Sequence, residues 1–138
     1  MRHLIFLFFF VPALMTLIVV LALLYECQTR WRPNPCSAAE KKAMALLRSW
    51  LTPEQDKQWA AGREFEVIGC DTGTRYRITY AAVMNVLQLD PAGRTVAQWC
   101  FAPEGGLAPG DILLTQKIAL ETMEREVLAL ANRQPFRA

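Results

Sequence analysis

Residues 4–25, LIFLFFFVPALMTLIVVLALLY, form an uncharged run with Thr16 as the one polar side chain before the closing tyrosine. A helix rising about 1.5 Å per residue would reach roughly 33 Å, enough for a hydrocarbon core of about 30 Å. A charge near its middle would cost several kcal/mol, and none is present. The run therefore predicts a single transmembrane helix, with Leu4, Phe8, Pro12, Leu17, Leu21 and Tyr25 along its length and the lipid bilayer as its first partner. It exceeds the apolar stretch of a cleaved signal, and no A-x-A-like site follows it. Leu24-Tyr25-Glu26 ahead of Cys27 is also a poor match to a lipoprotein cleavage site, so the anchor is expected to be retained. It contains no GxxxG and no ionisable residue, which fits a plain anchor or a peripheral helix beside a larger membrane complex rather than a transport path.

Residues 1–3 form a short basic tail, and residues 26–36 form a proline-rich neck. In Arg30-Trp31-Arg32-Pro33-Asn34-Pro35, two prolines hold the chain extended, and a tryptophan between arginines suits the lipid head-group region. The positive-inside count, one arginine before the run against Arg30, Arg32, Lys41 and Lys42 after it, places the domain in the cytoplasm. A periplasmic, exported domain is the alternative. Residues 37–138 suffice for one small domain with a single core. Fourteen of the fifteen Lys/Arg and all thirteen Asp/Glu lie beyond the apolar run. The domain is thus nearly neutral, and nothing resembles the basic stripe of a nucleic-acid binder.

The pattern along the domain predicts an α+β fold. Ser37-Ala38-Ala39-Glu40 reads as a capping box, followed by Ala43, Leu46, Leu47, Trp50 and Leu51 on one apolar helix face. Thr52-Pro53-Glu54-Gln55 repeats the start signal for a second helix that stops near Gly62. Period two then takes over. Phe65 and Val67 alternate with Glu64 and Glu66, and Tyr76 and Ile78 alternate with Arg75 and Arg77, across a turn-rich Gly69–Gly73. Pairing Phe65 with Tyr76 would set Glu66 opposite Arg75 and Glu64 opposite Arg77. A third strand is expected over 83–89, a turn at Asp90–Gly93, and a fourth strand over 95–101. A long helix capped by Asp111 should run to about Asn132, covering the sheet with Leu113, Leu120, Met123, Val127 and Leu130. The expected domain is a two-layer sandwich of two helices, a four-stranded antiparallel meander and a long C-terminal helix.

Candidate chemistry is sparse. The one histidine, His3, lies outside the domain, so a Ser-His-Asp or Cys-His pair cannot form within it. The four cysteines form no C-x-x-C, which leaves no zinc-ligand spacing. Cys70 in the hairpin turn and Cys100 in Trp99-Cys100-Phe101 are the candidates for a redox role or, in an exported domain, a disulfide. Gly105, Gly106 and Gly110 precede a helix, but no GK[ST] follows and Asp111 occupies the phosphate position. Lys117 and Glu121 pair four apart on the last helix, and with Gln116 and Asn85 they are the candidates for lining a pocket or interaction site. No cofactor is implied.

The segments Gly69-Cys70-Asp71-Thr72-Gly73-Thr74-Arg75-Tyr76-Arg77-Ile78, Asn85-Val86, Trp99-Cys100-Phe101-Ala102-Pro103 and the run from Gly110 to Glu121 stand in that order. Together they resemble a small bacterial domain family without an assigned activity. The resemblance covers roughly Leu46 to Asn132 and leaves out the apolar run. It implies a genuine folding unit and transfers no catalytic residues. The resulting expectation is a non-enzymatic protein of a bacterial inner membrane whose domain binds a membrane-protein partner, such as the rest of a complex it serves as accessory subunit. A membrane-tethered ligand or thiol sensor and an exported structural domain are the alternatives.

Overall fold

A computed structural model describes residues 37–81, 83–103 and 105–136, together with Met15, Ile18 and Val19. The chain divides into two units, Met1–Arg32 and Pro33–Ala138. The elements of the second are α1 (Ala38–Trp50), α2 (Pro53–Gly62), β1 (Glu64–Ile68), β2 (Arg75–Thr79), β3 (Val86–Leu89), β4 (Thr95–Cys100), α3 (Pro109–Thr122), α4 (Glu124–Leu130) and β5 (Asn132–Pro135). The strands form one antiparallel sheet in the order β1-β2-β3-β4-β5. The α+β class is as expected, but the architecture differs in three respects. The sheet has five strands, not four. The long C-terminal helix is two helices followed by a strand. No helix among the described residues is long and apolar enough to cross a membrane, so the transmembrane helix does not belong to the described architecture; most of residues 4–25, and the interfacial Arg30, Trp31 and Arg32, lie outside the described residues. Met15, Ile18 and Val19 are helical, and each exposes more than half of its surface.

The core lies between the helices and one sheet face. Phe65, Val67, Tyr76, Ile78 and Val86 from the strands meet Leu47, Trp59, Leu113, Leu114 and Leu120 from the helices. Period two in β1 and β2 predicts this facing correctly, because alternate side chains share a face. The register is shifted by two residues from the one expected: Phe65 pairs with Ile78, Val67 with Tyr76 and Glu66 with Arg77. A shift of two preserves which side chains face the core. It lengthens the connection, which closes with Gly69 N donating to Thr74 O at 2.8 Å and with Gly73 at φ +69°.

The helix ends show where local signals suffice. Thr52 and Gln55 form a full capping box, with Pro53 in the first turn. Ser37 caps α1 by accepting from Glu40 N, but the Glu40 carboxylate turns into the interior instead of closing the box. There it accepts from Tyr80 Oη at 3.1 Å and Gly110 N at 3.4 Å. The α3 N-cap is Ala108, which has no side-chain cap bond, not Asp111. Glu40 thus supplies from α1 an acceptor that α3 lacks locally, where the helix dipole favours an anion. Gly110 permits this approach, since a Cβ there would stand 2.6 Å from the Ala43 carbonyl carbon. On α1 only Ala43 and Leu47 of the expected apolar face are buried, whereas Leu46 and Trp50 are exposed.

Candidate functional site

The break between α3 and α4 organises the first polar cluster. Met123 leaves the helical region (φ −150°, ψ 45°), and Glu124 enters the β1–β2 loop. The Glu124 carboxylate is fully buried. It accepts from Asp71 N and Thr72 N, both at 2.8 Å, from Tyr76 Oη at 2.8 Å and from the Thr72 hydroxyl. Asp71 answers by accepting from Arg125 N at 3.0 Å, and Cys70 N donates to Leu120 O at 3.0 Å. Gly69 makes room, because a Cβ there would overlap the Glu124 carboxyl group. Burial alone would raise the Glu124 pKa, but hydrogen bonds from Thr72, Tyr76 and the loop amides outweigh it and hold the carboxyl below its ordinary range. Burial and then the adjacent carboxylate push the Tyr76 phenol well above its usual value. Cys70, Asp71 and Glu124 bring three potential ligand atoms within 4.8 Å of one another. The carboxylates there already accept from backbone and hydroxyl donors, so the cluster works as a loop clamp.

The second cluster joins two of the predicted residues. Asn85 Nδ2 donates to Gln116 Oε1 at 2.7 Å, and Gln116 Nε2 returns a bond to Asn85 Oδ1 at 3.0 Å. Gln116 also donates to Phe101 O and Asn85 to Thr79 O. The pair is buried and saturated, tying α3 to the ends of β2, β3 and β4. Lys117 and Glu121 do pair, with Nζ 2.6 Å from each carboxylate oxygen. Lys117 is only 5% exposed, however, while Glu121 stays partly open to water, so the pair runs from the interior to the surface. These four residues form two separate contacts, Asn85 with Gln116 and Lys117 with Glu121. Cys70 and Cys100 are free thiols. Cys70 follows β1 and Cys100 ends β4, which places them at opposite ends of the sheet with two strands between them. A disulfide needs Cα atoms within about 7 Å, so these two cannot be bridged in this fold.

The sheet face turned away from the helices is the remaining candidate, and its charged pattern is legible in the strand alternation. Glu66 sits between two guanidinium groups, Arg75 Nη2 at 2.7 Å and Arg77 Nη2 at 2.9 Å, and Arg77 also reaches Glu64 at 3.6 Å. Burial raises the Glu66 pKa, but the two arginines together overcome this and lower it. Around the lattice, Ile68 on β1, Val96 on β4 and Phe136 after β5 are exposed apolar groups. A hollow of about 340 Å³ opens beside Gln58, Gly62, Glu64 and Arg77, and another of about 570 Å³ beside Gln98, Gln134 and Phe136.

Neither outer strand offers an easy edge for another strand. On β1, Glu66 N donates to Gln58 Oε1 and Glu66 O accepts from Gln55 Nε2, so α2 side chains occupy the edge. On β5, Phe136 N donates inward to Val96 O. Alternation then turns the nitrogen of Pro135 outward, where proline has no hydrogen to donate. No family model, curated protein or solved structure matches this chain.

Proposed function

We propose that this is a non-enzymatic, membrane-associated interaction protein. The apolar run at residues 4–25 holds it to the bilayer, and the α+β domain offers the open sheet face to a membrane-protein partner, as an accessory subunit would. One observation carries the reading: the buried polar groups are bound to each other and to the backbone. Among the described residues no buried side-chain nitrogen or oxygen lacks a hydrogen-bond partner. Glu124, Glu40, Asn85 and Gln116 use their hydrogen bonds to hold loops and helix ends in place. The outer sheet face combines exposed apolar side chains with a fixed charge lattice, the composition of a protein-docking patch. Exposed apolar residues at Met15, Ile18 and Val19 support a lipid or protein covering for the run that contains them.

Purification of the full chain in mild detergent, followed by cross-linking, tests this. The expected result is a defined hetero-complex that the I68D and R77E variants dissociate without losing their fold. A stable lone monomer would overturn the reading. The charge distribution around the apolar run supports a cytoplasmic domain. Cys70 is exposed, so a membrane-impermeant thiol reagent on intact cells, with C70S as control, should label it only after permeabilisation. Labelling before permeabilisation would place the domain in the periplasm.

Thiol sensing is the second reading. It is favoured by the exposure of Cys70 within the very loop that holds Glu124. Rapid reaction of Cys70 at neutral pH in a lone monomer is the result that would prefer it.

A further inference from the structure

We propose that the exposed face of α1 rests on an anionic lipid surface. The inference depends on the membrane association argued above and adds which part of the domain meets the bilayer. At 100° per residue, Ala39, Lys42, Leu46 and Trp50 fall within about 80° of arc on α1. All four are exposed, Trp50 by 56% and Leu46 by 47%. Lys41, also exposed, lies on the opposite side of the helix, so Lys42 is the lysine of this arc. The only acid of α1, Glu40, is turned inward against Tyr80 and Gly110, and the one carboxylate that meets the helix surface, Asp56 of α2, is bound to Arg48 on the opposite side from Trp50, so the Leu46–Trp50 arc carries Lys42 and no carboxylate.

Leucine and tryptophan beside a lysine, with no acid between them, is the composition of a helix face that lies in a bilayer interface. The ring and the branched chain enter the acyl boundary, while the Lys42 ammonium stays among the phosphates. Each lysine near such a surface is worth about 1 kcal/mol. The occupant is identified by chain length as well as by chemistry. Only residues 26–36 separate the apolar run from Ser37, the cap of α1. A fully extended chain of that length spans at most about 40 Å. Once the run is held by lipid, the lipid surface is the nearest and most concentrated partner for α1.

The test reconstitutes the full chain into vesicles of phosphatidylcholine and phosphatidylglycerol, with and without brominated acyl chains that quench tryptophan on contact. Subtracting the emission of the W50F variant isolates Trp50. Because the ring is more than half exposed, this variant should melt with the wild type. The expected Trp50 emission is blue-shifted and loses most of its intensity in the brominated vesicles. The loss should be smaller in pure phosphatidylcholine and in L46E. A Trp50 signal undiminished by bromine overturns the inference, whether red-shifted (the face is in water) or blue-shifted (a protein or second copy covers it). Equal quenching with and without phosphatidylglycerol overturns the role of Lys42. Flotation with the vesicles is read separately: a chain that does not float overturns the membrane reading and this inference with it, whereas one that floats with Trp50 unquenched overturns only the latter.

Discussion

Glu124 and Glu66 both hold the β1–β2 hairpin, and they do so by opposite means. Glu66 lies on the open sheet face between Arg75 and Arg77, partly reached by water. Glu124 lies in the interior with no cation among its hydrogen-bond partners, which are two amides, a phenol and a hydroxyl. A half-exposed ion pair gains little over its solvated partners, because water screens it and two long side chains must be ordered. A buried carboxylate met by several neutral donors is a different structure: its removal leaves each of those donors without an acceptor. The hairpin is therefore fastened from inside and only aligned from outside.

The largest break should follow from E124A. With several donors orphaned at once, the variant should lose about 3 kcal/mol of stability, read by denaturant unfolding. Next, G69A places a methyl group where the carboxyl sits. It should expel Glu124 from the loop and cost about 2 kcal/mol. The two are one defect, so the double variant should lose much less than the sum of the singles. Additive losses would show that Gly69 matters for the backbone and not for the clamp.

This clamp could not be seen in the sequence. Four of the five strands, the facing of β1 and β2, and the turn at Asp90–Gly93 were legible, because alternation and turn chemistry act over a few residues. The box at Thr52 and Gln55 was legible for the same reason. Glu40 matched that same motif, yet its carboxylate serves α3, seventy residues away in the chain at Gly110. Met123 interrupts a helix without glycine or proline, since the bonds that Glu124 gains in the loop outweigh one broken turn. Removing Leu130 from the expected core stripe frees the chain to return as β5, and Leu130 is 88% exposed. The Lys117–Glu121 contact is local and was legible in the i,i+4 spacing. The Asn85–Gln116 contact joins residues 31 positions apart, which no local pattern announces.

Acidification sharpens the comparison further. Both glutamates are held below their ordinary pKa, so the unfolded chain binds more protons than the folded one as pH falls. Their stabilisation is complete above the unfolded value of about 4.3 and is lost as pH drops through the lower folded values. Wild-type stability should fall steeply below about pH 4. E124Q should flatten that slope more than E66Q does, as measured by unfolding midpoints across a pH series. Equal slopes in the two variants would mean that folding lowers the pKa of the interior carboxyl no further than that of the surface one.

The smallest effect should come from the lattice itself. E66A removes the central acceptor from Arg75 and Arg77, yet both guanidiniums remain 30–40% exposed and water can solvate them. The expected loss is about 0.5–1 kcal/mol, with the fold and the Phe65–Ile78 register retained. In 1 M salt, where the screening length is about 3 Å, the difference between E66A and wild type should shrink toward zero, while the E124A deficit persists. A salt-insensitive loss at Glu66 would instead assign its main contribution to packing of the side-chain stems against the strands, and the outer face would then be held by contact and not by charge.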